Sequence, residues 1–270
     1  MTTIEILREC FPSLPVPEKM LKDLLGYRSA EILEHRENGE TVGFALLGGS
    51  DLRMLCVRPA WQGRGVGGAL LARAEETARA GGQTRLHVGG YSSGLFIGAP
   101  EPSLGFFTAH GYKADDFCEE MSGDMRAFSS ANYSLPVPDG CEFGWYEGDR
   151  DELLAAVADV DEDWVKYYKS GSAVFCGCWQ GRVASFCLVD YEMDCMVSDG
   201  KNRVGAVGCV GTVHAARRRG IGLKNVALAC DELHRHGCDL CYIHYTGVAH
   251  WYARLGFQTV LKQYFCEKKL

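Results

Sequence analysis

Hydrophobic positions along the chain alternate between two periods, and the whole series runs through twice. Near the N-terminus Met20, Leu21, Leu24 and Leu25 share one face of a helix opened by Pro17 and closed by Gly26. Two runs of strand character, 30–36 and 41–47, flank Asn38 and Gly39, a pair suited to the left-handed residues of a tight hairpin turn. A third strand over 51–57 stops at Pro59, and Val66, Leu70, Ala74 and Ala78 then return at helical spacing up to Gly81 and Gly82. A strand at 84–88, a loop over 89–103, a short helix and the pair Gly111 and Tyr112 complete the round. After a turn-rich stretch the order begins again with a strand at 141–146 and one helix striped by Leu153, Val157, Val160, Trp164 and Tyr168. A hairpin (173–179 and 183–189) turns about Gln180 and Gly181, and a strand covers 204–213. A helix with Val226, Cys230 and Leu233 ends at Gly237, a strand covers 239–245, and a short helix over 248–254 precedes Gly256 and Phe257.

The spacing marks an internal duplication. Gly65 and Gly220 lie 155 residues apart, as do Gly67 and Gly222. Gly111 and Gly256 are 145 apart, which places about ten extra residues in the 89–103 loop of the first copy. The second copy is longer at 190–203, a segment holding Asp190, Glu192, Asp194 and Asp199. Both differences fall in loops, where insertions are tolerated. The expectation is two α/β domains, each an α+β mixed sheet, at 1–125 and 141–270, with a linker at 126–140.

In each copy a strand turns through close glycines into a helix. The first turn is Gln62, Gly63, Arg64, Gly65, Val66, Gly67 and Gly68; the second is Arg217, Arg218, Arg219, Gly220, Ile221, Gly222 and Leu223. The first amides of a helix have no partner within it, and with the helix dipole they seat an anion such as phosphate. Glycine lets the anion approach the backbone closely.

Composition narrows the partners. In 270 residues, 47% hydrophobic and 23% charged content is that of a globular protein, and no apolar run approaches the ~20 residues of a membrane helix. A net charge of −7 argues against a nucleic-acid partner. The first residues carry no basic stretch followed by an apolar run, so a cytoplasmic location is expected. Thirteen cysteines then read as reduced thiols, an odd count that also speaks against a complete disulfide framework. Cys238 and Cys241 form a lone CxxC and Cys176 and Cys178 stand two apart, but the strand expected at 239–245 turns residues three apart to opposite faces. Buried structural cysteine is the favoured reading over a zinc or redox site.

With these motifs in place, the chain resembles the GNAT superfamily of N-acetyltransferases, in two copies that cover nearly its whole length. Their signature Gln/Arg-x-x-Gly-x-Gly/Ala is matched by Gln62, Gly65 and Gly67, and again by Arg217, Gly220 and Gly222. The strand before it is matched by Leu55, Val57 and Pro59, and by Val210 and Thr212 with His214 where proline is usual. An aromatic residue four before Gly-Phe or Gly-Tyr appears as Phe107 before Gly111 and Tyr112, and as Tyr252 before Gly256 and Phe257. The resemblance implies a splayed mixed sheet in each half. Acetyl-CoA would be the co-substrate, its pyrophosphate on the two turns and its pantetheine arm beside Leu55 and Val57 or Val210 and Thr212.

Acetyl transfer to an amine needs a base more than an acid. A primary amine of pKa ~10.4 is about one part in 10³ neutral at pH 7, which costs ~4 kcal/mol, whereas a thiol of pKa ~8.5 leaves readily. The resemblance implies a carboxylate base eleven residues before the Gln/Arg, which is Asp51 in the first copy and Ala206 in the second. It implies a tyrosine acid at Tyr252, replaced by Phe107 in the first copy. Asp51 also reads as a residue capping the turn at 48–50, and Tyr252 as a core aromatic. For the base of the second copy the acidic 190–199 segment, His214 and His250 are candidates, with His214 also a possible phosphate partner; His110 and Tyr91 are candidate acids in the first. The expectation is direct transfer in a ternary complex to a primary amine of a small molecule or peptide, chiefly in the C-terminal half, by a monomer or homodimer. The rival reading makes one or both halves acyl-CoA-binding modules without turnover.

Overall fold

The computed structural model describes residues 2–25, 30–90, 95–169, 171 and 173–270. The first copy contains α1 (Thr3–Cys10), α2 (Glu18–Leu25), β1 (Glu31–Glu37), β2 (Glu40–Gly48), β3 (Asp51–Val57), α3 (Val66–Ala80), β4 (Arg85–Val88), β5 (Ala99–Pro100), α4 (Leu104–Ala109) and β6 (Lys113–Asp124). The second contains β7 (Cys141–Trp145), α5 (Arg150–Val160), α6 (Val165–Tyr168), β8 (Val174–Trp179), β9 (Arg182–Asp190), β10 (Val204–Thr212), α7 (Ile221–Arg235), β11 (Leu240–Thr246), α8 (Ala249–Tyr252) and β12 (Gln258–Lys269).

Local chemistry sets most of these boundaries. Thr2 and Glu5 form a reciprocal capping box at α1. Asn38 (φ 50°) and Gly39 (φ 82°) turn the first hairpin, and Gln180 (φ 53°) and Gly181 (φ 76°) turn its counterpart. The stripe from Leu153 to Tyr168 predicts one helix, but α5 ends at extended Asp161 (φ −159°), whose carboxylate accepts from the Asp163 amide and starts a new turn leading to α6. The stop expected at Gly26 lies outside the described residues.

The chain forms two compact units. Unit 1 comprises Met1–Glu119, Asp194–Asp199 and Leu261–Leu270; unit 2 comprises Glu120–Met193 and Gly200–Val260. The linear division at 126–140 therefore describes the two sequence copies, while residues 120–140 belong to the second compact unit and the last ten residues to the first.

In unit 1, β1, β2 and β3 form an antiparallel meander, β3 pairs with β4 in parallel, and the end of β12 pairs with β4 antiparallel from Cys266↔Val88 to Lys269↔Arg85. Helix α3 makes the crossover and buries Leu70, Leu71, Ala74 and Ala78 on this sheet. In unit 2, β7, β8, β9 and β10 are antiparallel neighbours, β10 pairs with β11 in parallel, and β6 follows β11. Helix α7 buries Val226, Cys230 and Leu233 on one face of that sheet, and α5 and α6 bury Leu153, Val157 and Tyr168 among Val174, Val183 and Phe186 on the other. Each is therefore a mixed α/β sheet that contains a parallel pair, β3 with β4 in unit 1 and β10 with β11 in unit 2. Among the described residues no helix is long and apolar enough to cross a membrane.

Candidate active site

The site in unit 2 is built where β10 runs into α7. Arg217 reaches back so that its Nε donates to the Thr212 carbonyl at 3.1 Å, fixing the end of the strand. Arg218 then takes a left-handed conformation (φ 62°) and Gly220 another (φ 81°), after which the helix begins. The first helical bond runs from Lys224 N–H to the Gly220 carbonyl at 3.1 Å, so the amides of Ile221, Gly222 and Leu223 have no acceptor within the helix. Unit 1 repeats the device. Gln62 Nε2 donates to the Val57 carbonyl at 2.9 Å, Gly63 (φ 71°) and Gly65 (φ 84°) make the turn, and the bond from Ala69 N–H to Gly65 leaves the amides of Val66, Gly67 and Gly68 open. Arg219 lies over the ring of Trp179 at 4.6 Å and Arg64 over Trp61 at 5.1 Å, which braces both turns by cation–π contact.

Beside the second turn lies a cleft of about 1000 Å³. It is lined by Val210, Thr212, Arg217, Arg218, Gly220, Ile221, Gly222, Leu223 and Tyr252, so every site residue expected in the C-terminal half meets in one place. Two further contributions were not foreseen. Residues 135–138, expected to be linker, form part of the wall, and a Cβ on Gly220 would stand 2.3 Å from the Pro136 carbonyl oxygen. Trp251 lines the cleft too and packs 3.4 Å from where a Cβ of Gly222 would be.

The cleft widens because its two parallel strands part. The ladder between β10 and β11 has three rungs, Val204↔Leu240, Gly205↔Cys241 and Ala206↔Tyr242, after which both strands continue unpaired with each other. Both kink there: Cys209 (φ 46°) and Tyr245 (φ 53°) hold left-handed conformations that cost a non-glycine residue ~1–2 kcal/mol. Opposite β9 the register slips between Gly208 and Gly211, a bulge whose Cys209 carbonyl accepts the Tyr168 hydroxyl at 2.6 Å. Tyr252 is 6% exposed, and burial pushes its phenol well above the ordinary range, so it holds its proton at neutral pH.

In unit 1 the parallel strands share the rungs Asp51↔His87 and Leu52↔Val88 before they part, with Leu55 half-buried and Val57 buried farther along β3. Asp51 thus stands at the base of the parting, its carboxylate 3.0 Å from where a Cβ of Gly90 would lie. Phe107 is buried in the core against Tyr112. The Tyr112 hydroxyl donates to Glu75 at 3.3 Å, and Lys268 Nζ donates to both oxygens of that carboxylate at 2.8 and 3.0 Å. The polar group beside the late glycine is therefore spent on a core contact.

The remaining candidates scatter. His214 is tied to Asp159 of α5, which accepts its amide at 2.7 Å and its ring at 3.1 Å; these bonds hold the Asp159 carboxyl below its usual range. His250 lines the unit 2 cleft. His110 bonds the Phe106 carbonyl through Nδ1 at 2.8 Å. Asp190 and Glu192 belong to unit 2 but Asp194 and Asp199 to unit 1, and Tyr91 lies outside the described residues. All thirteen cysteines are free thiols, with Cys238 donating to the Tyr191 carbonyl and Cys241 toward that of Tyr242. Among the described residues no group of three or more His, Cys, Asp and Glu is placed to hold a metal ion.

Comparison with known proteins agrees with the geometry. Residues 29–114 match a family model described as acetyltransferase (GNAT) domain, and residues 139–257 match one described as acetyltransferase (GNAT) family. Comparison with curated proteins gives no match. Among solved structures, the GCN5-related glucosamine N-acetyltransferase region of a fungal multi-domain β-N-acetylglucosaminidase is 22% identical over 98% of this chain, with a TM-score of 0.75. This chain spans only 36% of that fungal protein. A GCN5-related N-acetyltransferase from Sphaerobacter thermophilus is 18% identical, with 98% of this chain and 90% of that one covered and a TM-score of 0.67. A tandem GNAT protein of the clavulanic acid biosynthesis pathway, solved without acetyl-CoA, is 15% identical over 99% of this chain and 96% of its own, with a TM-score of 0.58. At these identities the structural matches establish the fold.

Proposed function

Since the chain belongs to the GNAT acetyltransferase family and carries two of its domains in tandem, we propose that it is an acetyl-CoA-dependent N-acetyltransferase whose main site is the cleft of unit 2. One observation carries this reading: a single cleft holds the open amides of the 217–223 turn, the strand residues Val210 and Thr212, and the protonated hydroxyl of Tyr252. The diphosphate of acetyl-CoA would sit on the amides of residues 221–223 with Arg218 nearby, and the pantetheine arm along β10. The acceptor is a primary amine of a small molecule or peptide, and both substrates are bound when transfer occurs. The amine nitrogen attacks the thioester carbon, the carbon–sulfur bond breaks, Tyr252 gives its proton to the departing thiolate, and the proton lost by nitrogen restores the Tyr252 hydroxyl through solvent. Unit 1 keeps the turn but has Phe107 in place of the hydroxyl, which supports an acyl-CoA-binding role without turnover there.

The test is release of CoA thiol with an amine panel that includes glucosamine, the amine named for the fungal relative. Tyr252→Phe should lose most of the turnover and Asp51→Asn little; the reverse pattern would move the active site to unit 1. Gly222→Val is the obvious variant for blocking the C-terminal seat, but a Cβ there would stand 2.3 Å from Thr212 Oγ1, so it also distorts the strand end. Arg218→Glu is the cleaner probe. It should remove one of two acetyl-CoA equivalents in calorimetric titration, and unchanged stoichiometry would exclude unit 2 as a site.

A further inference from the structure

Unit 2 has Ala206 where the resemblance implies a carboxylate, and Ala206 is also the last residue of β10 paired with β11. Its partner on that rung is Tyr242, and two residues farther along β11, ~7 Å by strand rise, is His244. Cys241 and Ile243 point into the core under α7, so Tyr242 and His244 point to the opposite face. His244 therefore stands where the strands part, on the side of the sheet away from the phosphate turn and from Tyr252, which packs in the α7 core.

Its ring is held by an unusual partner. Glu120 of β6 is 0% exposed, and one oxygen of its carboxylate, Oε2, accepts the Tyr242 hydroxyl at 2.6 Å, His244 Nδ1–H at 2.9 Å and the Tyr245 amide at 3.2 Å. A carboxylate can only accept, so the proton of a neutral His244 sits on Nδ1 and the lone pair on Nε2. The His244 side chain is 42% exposed, so a partner from solution can approach the ring. A buried acid that fixes the tautomer and orientation of an exposed imidazole is an arrangement for proton abstraction.

We propose that His244, positioned by Glu120, is the base that takes the proton from the acceptor amine in unit 2. The proposal rests on the acetyltransferase reading and completes it. His244 Nε2 takes one proton from the ammonium, the freed lone pair forms the nitrogen–carbon bond, the carbon–sulfur bond breaks, and Tyr252 protonates the thiolate from the other face. The second nitrogen proton then restores the Tyr252 hydroxyl through solvent, and His244 gives up its own proton. The net products are amide, CoA thiol and one proton released to solvent. The groups facing the ring are the Glu120 carboxylate and the phenols of Tyr242 and Tyr245. Burial of the ring opposes its charged form, but the hydrogen bond and charge of Glu120 outweigh it and raise its pKa from the ordinary histidine value. The strength of His244 as a base therefore depends on Glu120.

The experiment uses the full chain, acetyl-CoA and three amines (glucosamine, spermidine and a tripeptide with a free N-terminus), with thiol release followed from pH 6 to 10. His244→Gln changes an exposed residue and should fold. It should lower kcat ~100-fold at pH 7 with the KM for acetyl-CoA unchanged. The loss should shrink at high pH, where free amine no longer needs a base, and added imidazole should restore part of the rate. Glu120→Gln should shift the acid limb of the profile to lower pH, a change that loss of packing alone would not produce. A His244→Gln enzyme with a wild-type profile, or one that is slow but not rescued by imidazole, would overturn the assignment while leaving the transferase reading in place. A wild-type chain that binds acetyl-CoA and turns over none of the amines would overturn both.

Discussion

In both units a side chain reaches back five residues to hold the last carbonyl of a strand, Gln62 to Val57 and Arg217 to Thr212, and a left-handed glycine opens the long helix. Beyond that shared seat the units diverge in chemistry. Unit 2 has a buried tyrosine at 252, strained residues at 209 and 245, and a wall of residues 135–138 against the turn. Unit 1 has phenylalanine at 107, and Met54, the counterpart of Cys209, has no positive φ. The residues at the parting differ as well: unit 1 has Asp51 opposite His87, with Gly89 two residues beyond His87, while unit 2 has Ala206 opposite Tyr242, with His244 two residues beyond Tyr242. The seat accounts for what both units would bind; under the proposed function, the groups at the parting would separate a unit that transfers from one that holds.

The largest expected difference is mechanical. A Cβ on Gly65 meets nothing within 4 Å, whereas on Gly220 it would stand 2.3 Å from the Pro136 carbonyl oxygen. Both substitutions carry the left-handed cost of ~1–2 kcal/mol, and the clash at Gly220 adds ~1–3 kcal/mol. Gly220→Ala should therefore lower the amide exchange protection of α7 by ~3 kcal/mol and Gly65→Ala that of α3 by ~1 kcal/mol. Equal losses would mean that residues 135–138 yield without cost and do not wall the seat.

The next difference is catalytic. Tyr252→Phe should lower kcat ~10² to 10³-fold, the usual worth of a positioned acid or base, with little change in KM for acetyl-CoA. Phe107→Tyr in unit 1 should gain nothing, because that ring lies in the core against Tyr112. Activity gained by Phe107→Tyr would show that the missing hydroxyl is all that separates the units.

The repeated turn was readable because its glycines are required by backbone geometry and recur at fixed spacing, and the hairpins were readable from Asn38 with Gly39 and Gln180 with Gly181. The two longest strands, β6 and β12, were missed. In β6 the paired charges at 115–116 and 119–120 mask any alternation, and one of them, Glu120, proves to be fully buried. Each strand also divides between the units, β6 after Glu119 and β12 after Val260, which no local pattern encodes. For the same reason Glu120 and His244, 124 residues apart, carry no shared signal in sequence.

A smaller effect tests the two reaching side chains. Each supplies one hydrogen bond worth ~1 kcal/mol, so Gln62→Ala and Arg217→Ala should cost that much in the protection of their own helices. In unit 2 the loss should be accompanied by weaker acetyl-CoA binding, since the guanidinium also lines the cleft. If acetyl-CoA binding is unchanged in Arg217→Ala, the side chain serves the fold alone.

The last contrast lies in alkali. Burial and then Glu75 raise the phenol of Tyr112 in unit 1, and burial raises those of Tyr146 (to about 12), Tyr168 and Tyr252 in unit 2. A phenol whose pKa is higher folded than unfolded stabilises the fold fully below pH ~10, and that contribution is lost as the pH rises from there towards the folded value. Each such group lowers stability by up to ~1.4 kcal/mol per pH unit in that window. Unit 2, with more of these phenols, should weaken first between pH 10 and 12, by thermal unfolding followed in near-ultraviolet circular dichroism. Tyr252→Phe removes one of them and should fall less steeply than the parent over that range, whatever its stability at pH 8. An identical slope would mean that Tyr252 ionises in the folded protein as readily as in the unfolded chain, so that its hydroxyl meets solvent rather than the buried surroundings that raise it.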